Sequence, residues 1–100
     1  SYMGEAVEGK YDYSEIRAYP NPVRPESDDR VTITGLMERS NVTITTLNGH
    51  IIYQGTSVGG QLTWNCRNRK GERVASGIYL VLAATPDAGE SVVTKIMIIK

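Results

Sequence analysis

From Arg30 to Ile99 apolar residues recur at every second position, in runs cut short by turn-forming residues. This period of two is the tightest constraint on what the chain can become. An alternating run buries a single face only when it is extended, because successive strand side chains point to opposite sides. Val31 and Ile33 alternate with Thr32 and Thr34, and Val42, Ile44 and Thr46 with Thr43, Thr45 and Leu47. Leu62 and Trp64 alternate with Gln61 and Thr63. The duplicated Val-Thr-Ile-Thr string is strand patterning and not a structural repeat. Helical heptads are missing, and a composition with six Tyr, one Trp and no Phe, rich in short Thr and Val runs, favours pleated strands.

Turn chemistry then sets the register. Asn48-Gly49 is predicted to close a two-residue type I′ hairpin, because this pair tolerates the positive φ needed at both central positions. Counting outward pairs Thr46 with Ile51, Thr45 with Ile52, Ile44 with Tyr53, Thr43 with Gln54 and Val42 with Gly55. Thr46, Ile51, Ile44, Tyr53 and Val42 then form the core face. The other face holds Thr43, Gln54, Thr45 and His50, with Leu47 and Ile52 as apolar exceptions. Gly59-Gly60 makes a second turn, and Asn65 to Val74 reads as a polar loop around Gly71.

Ile78 to Ala84, apolar on both faces, reads as a central strand, and Pro86-Asp87-Ala88-Gly89 as a turn. The last strand, Val92 to Ile99, is expected to turn Val92, Thr94, Ile96 and Ile98 inward. Val93, Lys95, Met97 and Ile99 then lie on the wetter face, with Met97 and Ile99 as an uncovered apolar edge. Near the start, Ile16 to Tyr19 makes a short strand stopped by Pro20-Asn21-Pro22, and Pro25 prolongs that irregular segment. About seven short strands with frequent turns spell an all-β fold, an immunoglobulin-like antiparallel β-sandwich.

One hundred residues suit one domain, which buries roughly two-thirds of its unfolded surface without metal or disulfide staples. Residues 16–100 are assigned to the sandwich. Residues 1–15, mixing Gly, acidic residues and Tyr without a sustained period, read as a linker or tag remnant behind the rest of a larger protein. A formal net charge of zero supplies no field to steer nucleic acid, so no nucleic-acid partner is expected. The longest apolar stretch falls far short of the roughly 20 residues that a membrane helix needs. No signal peptide is visible at Ser1, so for an exported parent it lies upstream.

No catalytic constellation can be assembled. With His50 as the one histidine, at a turn, neither a metal set nor a Ser-His pair forms. Cys66 lacks a base, despite Arg67 and Arg69 nearby, and reads as a buried or incidental thiol. Asp28-Asp29 lacks the spacing of a calcium loop, and the glycines are too sparse to cradle phosphate. Catalytic residues, cofactors and metals are therefore expected to be none. The sequon Asn41-Val42-Thr43 lies in a predicted strand and carries no weight. Arg67, Arg69, Lys70 and Arg73 put four cations in one loop, beside Glu72, and are the candidate contacts for an anionic group.

Two stretches carry a resemblance: Ala18-Tyr19-Pro20-Asn21-Pro22-Val23, and Trp64 followed by Gly71-Glu72-Arg73-Val74-Ala75-Ser76-Gly77-Ile78-Tyr79. With Asn48-Gly49, Gly59-Gly60 and the closing Thr94-Lys95-Ile96-Met97-Ile98-Ile99-Lys100, they resemble, in order, the C-terminal sorting domains of the Bacteroidetes type IX (Por) secretion system and the related immunoglobulin-like domain of flagellar hook-capping proteins. The match covers roughly residues 16 to 100. Tyr19 to Pro25, Ile33 to Met37 and the final strand look closest to the terminal domains of PorZ-like proteins, in which β-propellers precede the sandwich. The resemblance implies a periplasmic, outer-membrane or cell-surface protein whose partners are secretion or attachment machinery and its own upstream domains. It also brings in anionic lipopolysaccharide as a ligand class. Lys95, Met97, Ile99 and Lys100 are the candidate partner contacts. After the Trp the family usually has Asp and Gly, and Asn65 and Cys66 stand here instead.

Overall fold

Every alternating run becomes a strand. The computed structural model describes residues 15–85 and 89–100. Residues 1–14 of the linker expected over 1–15, and the turn expected at Pro86 to Gly89, Gly89 apart, lie outside the described residues. In chain order the strands are β1 (Arg17–Tyr19), β2 (Val31–Thr34), β3 (Asn41–Thr46), β4 (Ile51–Thr56), β5 (Leu62–Trp64), β6 (Gly77–Thr85) and β7 (Gly89–Ile98). They form two antiparallel sheets, β1-β2-β5 and β4-β3-β6-β7. The two Val-Thr-Ile-Thr strings fall in different sheets, β2 in one and β3 in the other.

The inward residues of both sheets build one core. Val31, Ile33, Leu62 and Trp64 come from the smaller sheet, and Val42, Ile44, Tyr79, Val81, Ala83, Ile96 and Ile98 from the larger. Trp64 is fully buried between Tyr53 and Tyr79, whose ring centres lie 6.3 Å and 5.8 Å away, the second in edge-on contact. Its indole N–H donates to the Arg67 carbonyl at 2.9 Å, so the most bulky core side chain leaves no donor unmet. Tyr79 is anchored alike, its hydroxyl donating to the Ala75 carbonyl at 2.6 Å, a tyrosine-corner arrangement.

Two one-residue insertions correct the sequence reading. At the hairpin only Gly49 has positive φ, at 89°, while Asn48 does not, so the connection is not type I′. The Gly49 N–H bonds the Thr46 carbonyl and the Thr46 N–H bonds the His50 carbonyl, giving a three-residue loop closed by a left-handed glycine. That slips the register by one, and Thr45 faces Ile51. A bulge between Ile44 and Thr45 slips it back, restoring the expected Ile44–Tyr53, Thr43–Gln54 and Val42–Gly55 pairs. In consequence Ile51, expected in the core, is exposed, and Ile52, expected outside, packs against the core.

The second bulge lies in β7. Val81 pairs with Thr94 but Leu82 with Val92, leaving Val93 as the extra residue. Val92, expected inward, is therefore exposed, and Val93, expected outward, packs against the core. C-terminal to the bulge the expected alternation holds: Ile96 and Ile98 are buried, and Lys95 and Met97 are exposed. Ile78 to Ala84 lies in the strand between β3 and β7, as its composition implies.

Connections complete the fold. Ser57, fully buried, accepts the Ser40 N–H on its hydroxyl and donates to the Met37 carbonyl, pinning the β2–β3 loop to the end of β4. Gly35 has φ of +82°, and a Cβ there would collide with the Glu15 carbonyl, so no other residue fits. Removing the Trp64 ring leaves the largest void that one substitution can make here. We expect Trp64→Ala to cost about 3–5 kcal/mol, a large part of a small domain's stability. Urea denaturation followed by circular dichroism checks this, and a loss under about 1 kcal/mol would show that the indole is not the centre of the core.

Candidate functional site

Two places hold the residues singled out in the sequence. The first is the C-terminal end of β7. The ladder to β6 sets Lys95 opposite Leu80 and Met97 opposite Ile78, all on the outer face of the larger sheet. Met97 and Ile78 remain 43% and 37% exposed, so this face presents apolar surface beside a cation. Lys95 and Met97 line a shallow groove of about 270 Å³ with Asn21, Ile78, Thr94 and Ile96. Of the four expected contacts, these two share the groove. Ile99 lies beyond it, half-buried, and the exposed Lys100 gives its N–H to the Ser76 hydroxyl.

The edge of β7 is not uncovered, as alternation alone suggested. Val23, fully buried, runs parallel to Ile98, donating its N–H to the Met97 carbonyl at 2.7 Å and accepting the Ile99 N–H at 2.9 Å. Asn21 reaches the same edge with its side chain. The Pro-Asn-Pro segment, irregular in its own backbone, thus lies along the terminal strand. The residue spacing carried no signal of this contact.

The second place is the 65–74 loop. It folds back on itself through a bridge between Arg67 and Arg73, and Asn68 collects the Lys70 and Glu72 N–H groups on Oδ1. The four cations do not converge. Arg67 donates to the Gly71 carbonyl at 2.9 Å, Arg69 reaches toward Gln54, and Lys70 is exposed. Arg67 and Arg73 instead line a cleft of about 390 Å³ with Arg30, Asp29, Tyr53, Thr63 and Asn65. Arg30 was missed from the sequence because it precedes β2 and reaches the loop only through the β2–β5 pairing.

Charge inside the cleft is partly balanced. Asp29 and Arg30 pair at 3.2 Å, and that guanidinium, by hydrogen bond and charge, holds the exposed Asp29 carboxyl below its ordinary value. Three guanidiniums against one carboxylate leave the cleft cationic, with hydroxyl and amide groups from Tyr53, Thr63 and Asn65 around it. This is a lining suited to anions.

Cys66 sits behind the cleft, buried, with φ of 62°. A left-handed backbone at this position explains why glycine is usual there in the resembled family; in this chain a thiol occupies it and fills the core. Burial pushes the thiol up and the Tyr79 phenol up, while Arg73 pulls the thiol the other way. Both groups are therefore held neutral, the opposite of an activated nucleophile. Their neutral forms stabilise the fold below the ordinary thiol value of 9.0, and that contribution is lost as pH rises further, because the unfolded chain ionises first. Stability measured by urea denaturation should fall above pH about 9, and labelling of Cys66 by a thiol reagent at pH 8 should track unfolding. Rapid labelling of the native chain would contradict the burial.

Among the described residues no three His, Cys, Asp or Glu side chains converge as a metal site. The comparisons with known proteins point elsewhere. Residues 17–100 match the family model described as the secretion system C-terminal sorting domain. The chain is similar to part of PorZ of Porphyromonas gingivalis, an essential bacterial surface component of the type IX secretion system. The two are 35% identical over 95% of this chain, with a TM-score of 0.79. It is also similar in fold to part of the dimeric latent PorU of the same organism, at 19% identity over 84% of this chain and a TM-score of 0.56. The chain spans 13% of that PorZ chain and 9% of that PorU chain. No curated protein matches it. With the YPNPV segment, the Trp strand and the closing strand all in place in a two-sheet sandwich, the chain belongs to the C-terminal sorting domains of the type IX secretion system.

Proposed function

We propose that this domain is a non-catalytic sorting or attachment module, carried behind other domains of a secreted or cell-surface protein and read by the secretion machinery through its last strand. Lys95 and Met97 are the contacts, with Ile99 and Lys100 extending the surface toward the chain's end. The reading is supported chiefly by the outer side of β7, where a cation and exposed apolar side chains share a groove. Its place of action is the periplasm, the outer membrane or the cell surface.

Removing Lys95 to Lys100 would be a blunt test, because Ile96 and Ile98 are core residues and their loss empties the sandwich. Met97→Glu in the full-length parent is sharper, since the side chain points outward, away from the core. We expect export or surface attachment to fall at least tenfold, read by fractionation, with unchanged circular dichroism of the isolated domain. Normal localisation of that variant would remove the reading.

A second reading is favoured by the cationic cleft: binding of an anionic glycan or lipopolysaccharide through Arg67 and Arg73, joined by Arg30. Arg69 and Lys70, off the cleft, contribute background charge. Titration with anionic lipopolysaccharide at two salt concentrations should show salt-weakened binding that Arg67→Gln with Arg73→Gln abolishes and Arg69→Gln with Lys70→Gln leaves largely intact. No binding at low salt removes this reading. If both readings fail, the domain is a passive cap behind a propeller.

A further inference from the structure

Asn21 stands between two prolines that have no N–H to give, so the main chain there cannot run a ladder against β7. Its carboxamide takes over that task. Nδ2 donates to the Lys95 carbonyl at 3.0 Å, and Oδ1 accepts the Met97 N–H at 3.0 Å, the two bonds a paired strand residue would make. Val23 continues the row with its own backbone bonds to Met97 and Ile99.

The row is uneven in strength. The Val23 side chain is fully buried and anchors the segment in the core, whereas Asn21 is exposed and its bonds face water, where each contributes little net stability. Pairing of β7 with β6 ends at Gly77 opposite Ile98. Ile99 and Lys100 therefore hang on two further bonds, the Ile99 N–H to Val23 and the Lys100 N–H to the Ser76 hydroxyl.

We propose that Asn21 and Ser76 form a latch on the edge of β7 that sets how often the Met97 N–H is freed and how often the tail beyond the ladder, Ile99 and Lys100, opens while the sandwich stays folded. Opening begins at the exposed bonds, and the Val23 anchor and the buried Ile96 and Ile98 confine it to the tail. Its functional meaning, that opening widens the access of the secretion machinery to Lys95 and Met97, rests on the sorting reading above; the latch itself does not.

Amide hydrogen exchange and carboxypeptidase trimming of the whole chain test it. Asn21→Ala should speed exchange of the Met97 N–H at least tenfold and leave the Val81 amide, in the middle of the larger sheet, unchanged. Asn21→Asp keeps the acceptor for Met97 but loses the donor to Lys95, and should fall between. Ser76→Ala should speed removal of Lys100 at least tenfold. Unchanged Met97 exchange in Asn21→Ala would overturn the latch, and so would equal acceleration at Val81, which would make Asn21 part of the global fold. These readouts need no export. An open latch with normally exported Met97→Glu keeps the latch and removes the sorting reading, and a closed one with blocked export does the reverse.

Discussion

The indole of Trp64 is the part on which the rest depends. It meets Tyr53 and Tyr79 across the sandwich, and its single polar atom is met by the Arg67 carbonyl. A ring of that size in so small a core leaves little room for alternatives, because packed interiors do not deform smoothly around a missing side chain. The hydrogen bond also fixes the loop that follows. Cys66 turns the chain through a left-handed conformation just before Arg67, and from there the loop returns to Val74, whose N–H bonds the Cys66 carbonyl. The cleft lined by Arg67 and Arg73 is thus placed by the same residue that fills the core.

The second organising constraint is the management of a sheet edge. The strand that ends the chain is an edge strand, and an edge with open N–H and C=O groups invites pairing with other chains. Here the segment entering the fold lies on it, with a buried valine as anchor and an asparagine side chain as substitute for a strand residue. What is left exposed on β7 is side chain, not backbone, near its C-terminal end. A surface of that kind favours recognition through Lys95 and Met97 over strand addition.

The alternation predicted strands well and faces less well. Ile44, Val42, Leu62, Trp64, Ile96 and Ile98 lie inside as their period demands. Ile51 and Val92 do not, each for the same reason: a bulge adds one residue to a strand, and a period of two inverts when a single residue is added. The Asn48-Gly49 pair marked a turn correctly, yet its type followed from the neighbouring strands, because only Gly49 needed to be left-handed once the loop took a third residue. The basic loop was legible as a cluster of charge and not as a site. Charges close in sequence need not share a site, and two of the four, Arg69 and Lys70, do not line the cleft.

The residues by themselves determined the strand set, the inward tryptophan and the outward Lys95 and Met97, since these follow from local periodicity, turn chemistry and the burial of apolar area. Tertiary structure alone decided the rest. Asn21 meets Lys95 across 74 residues of chain, Ser57 ties together the ends of two loops, and Arg30 joins Arg67 and Arg73 through the pairing of β2 with β5. Contacts of this kind leave no period in a sequence. They exist because closing two sheets over one core brings distant backbone and side-chain groups within hydrogen-bonding reach, and buried or edge groups then need partners wherever the fold supplies them.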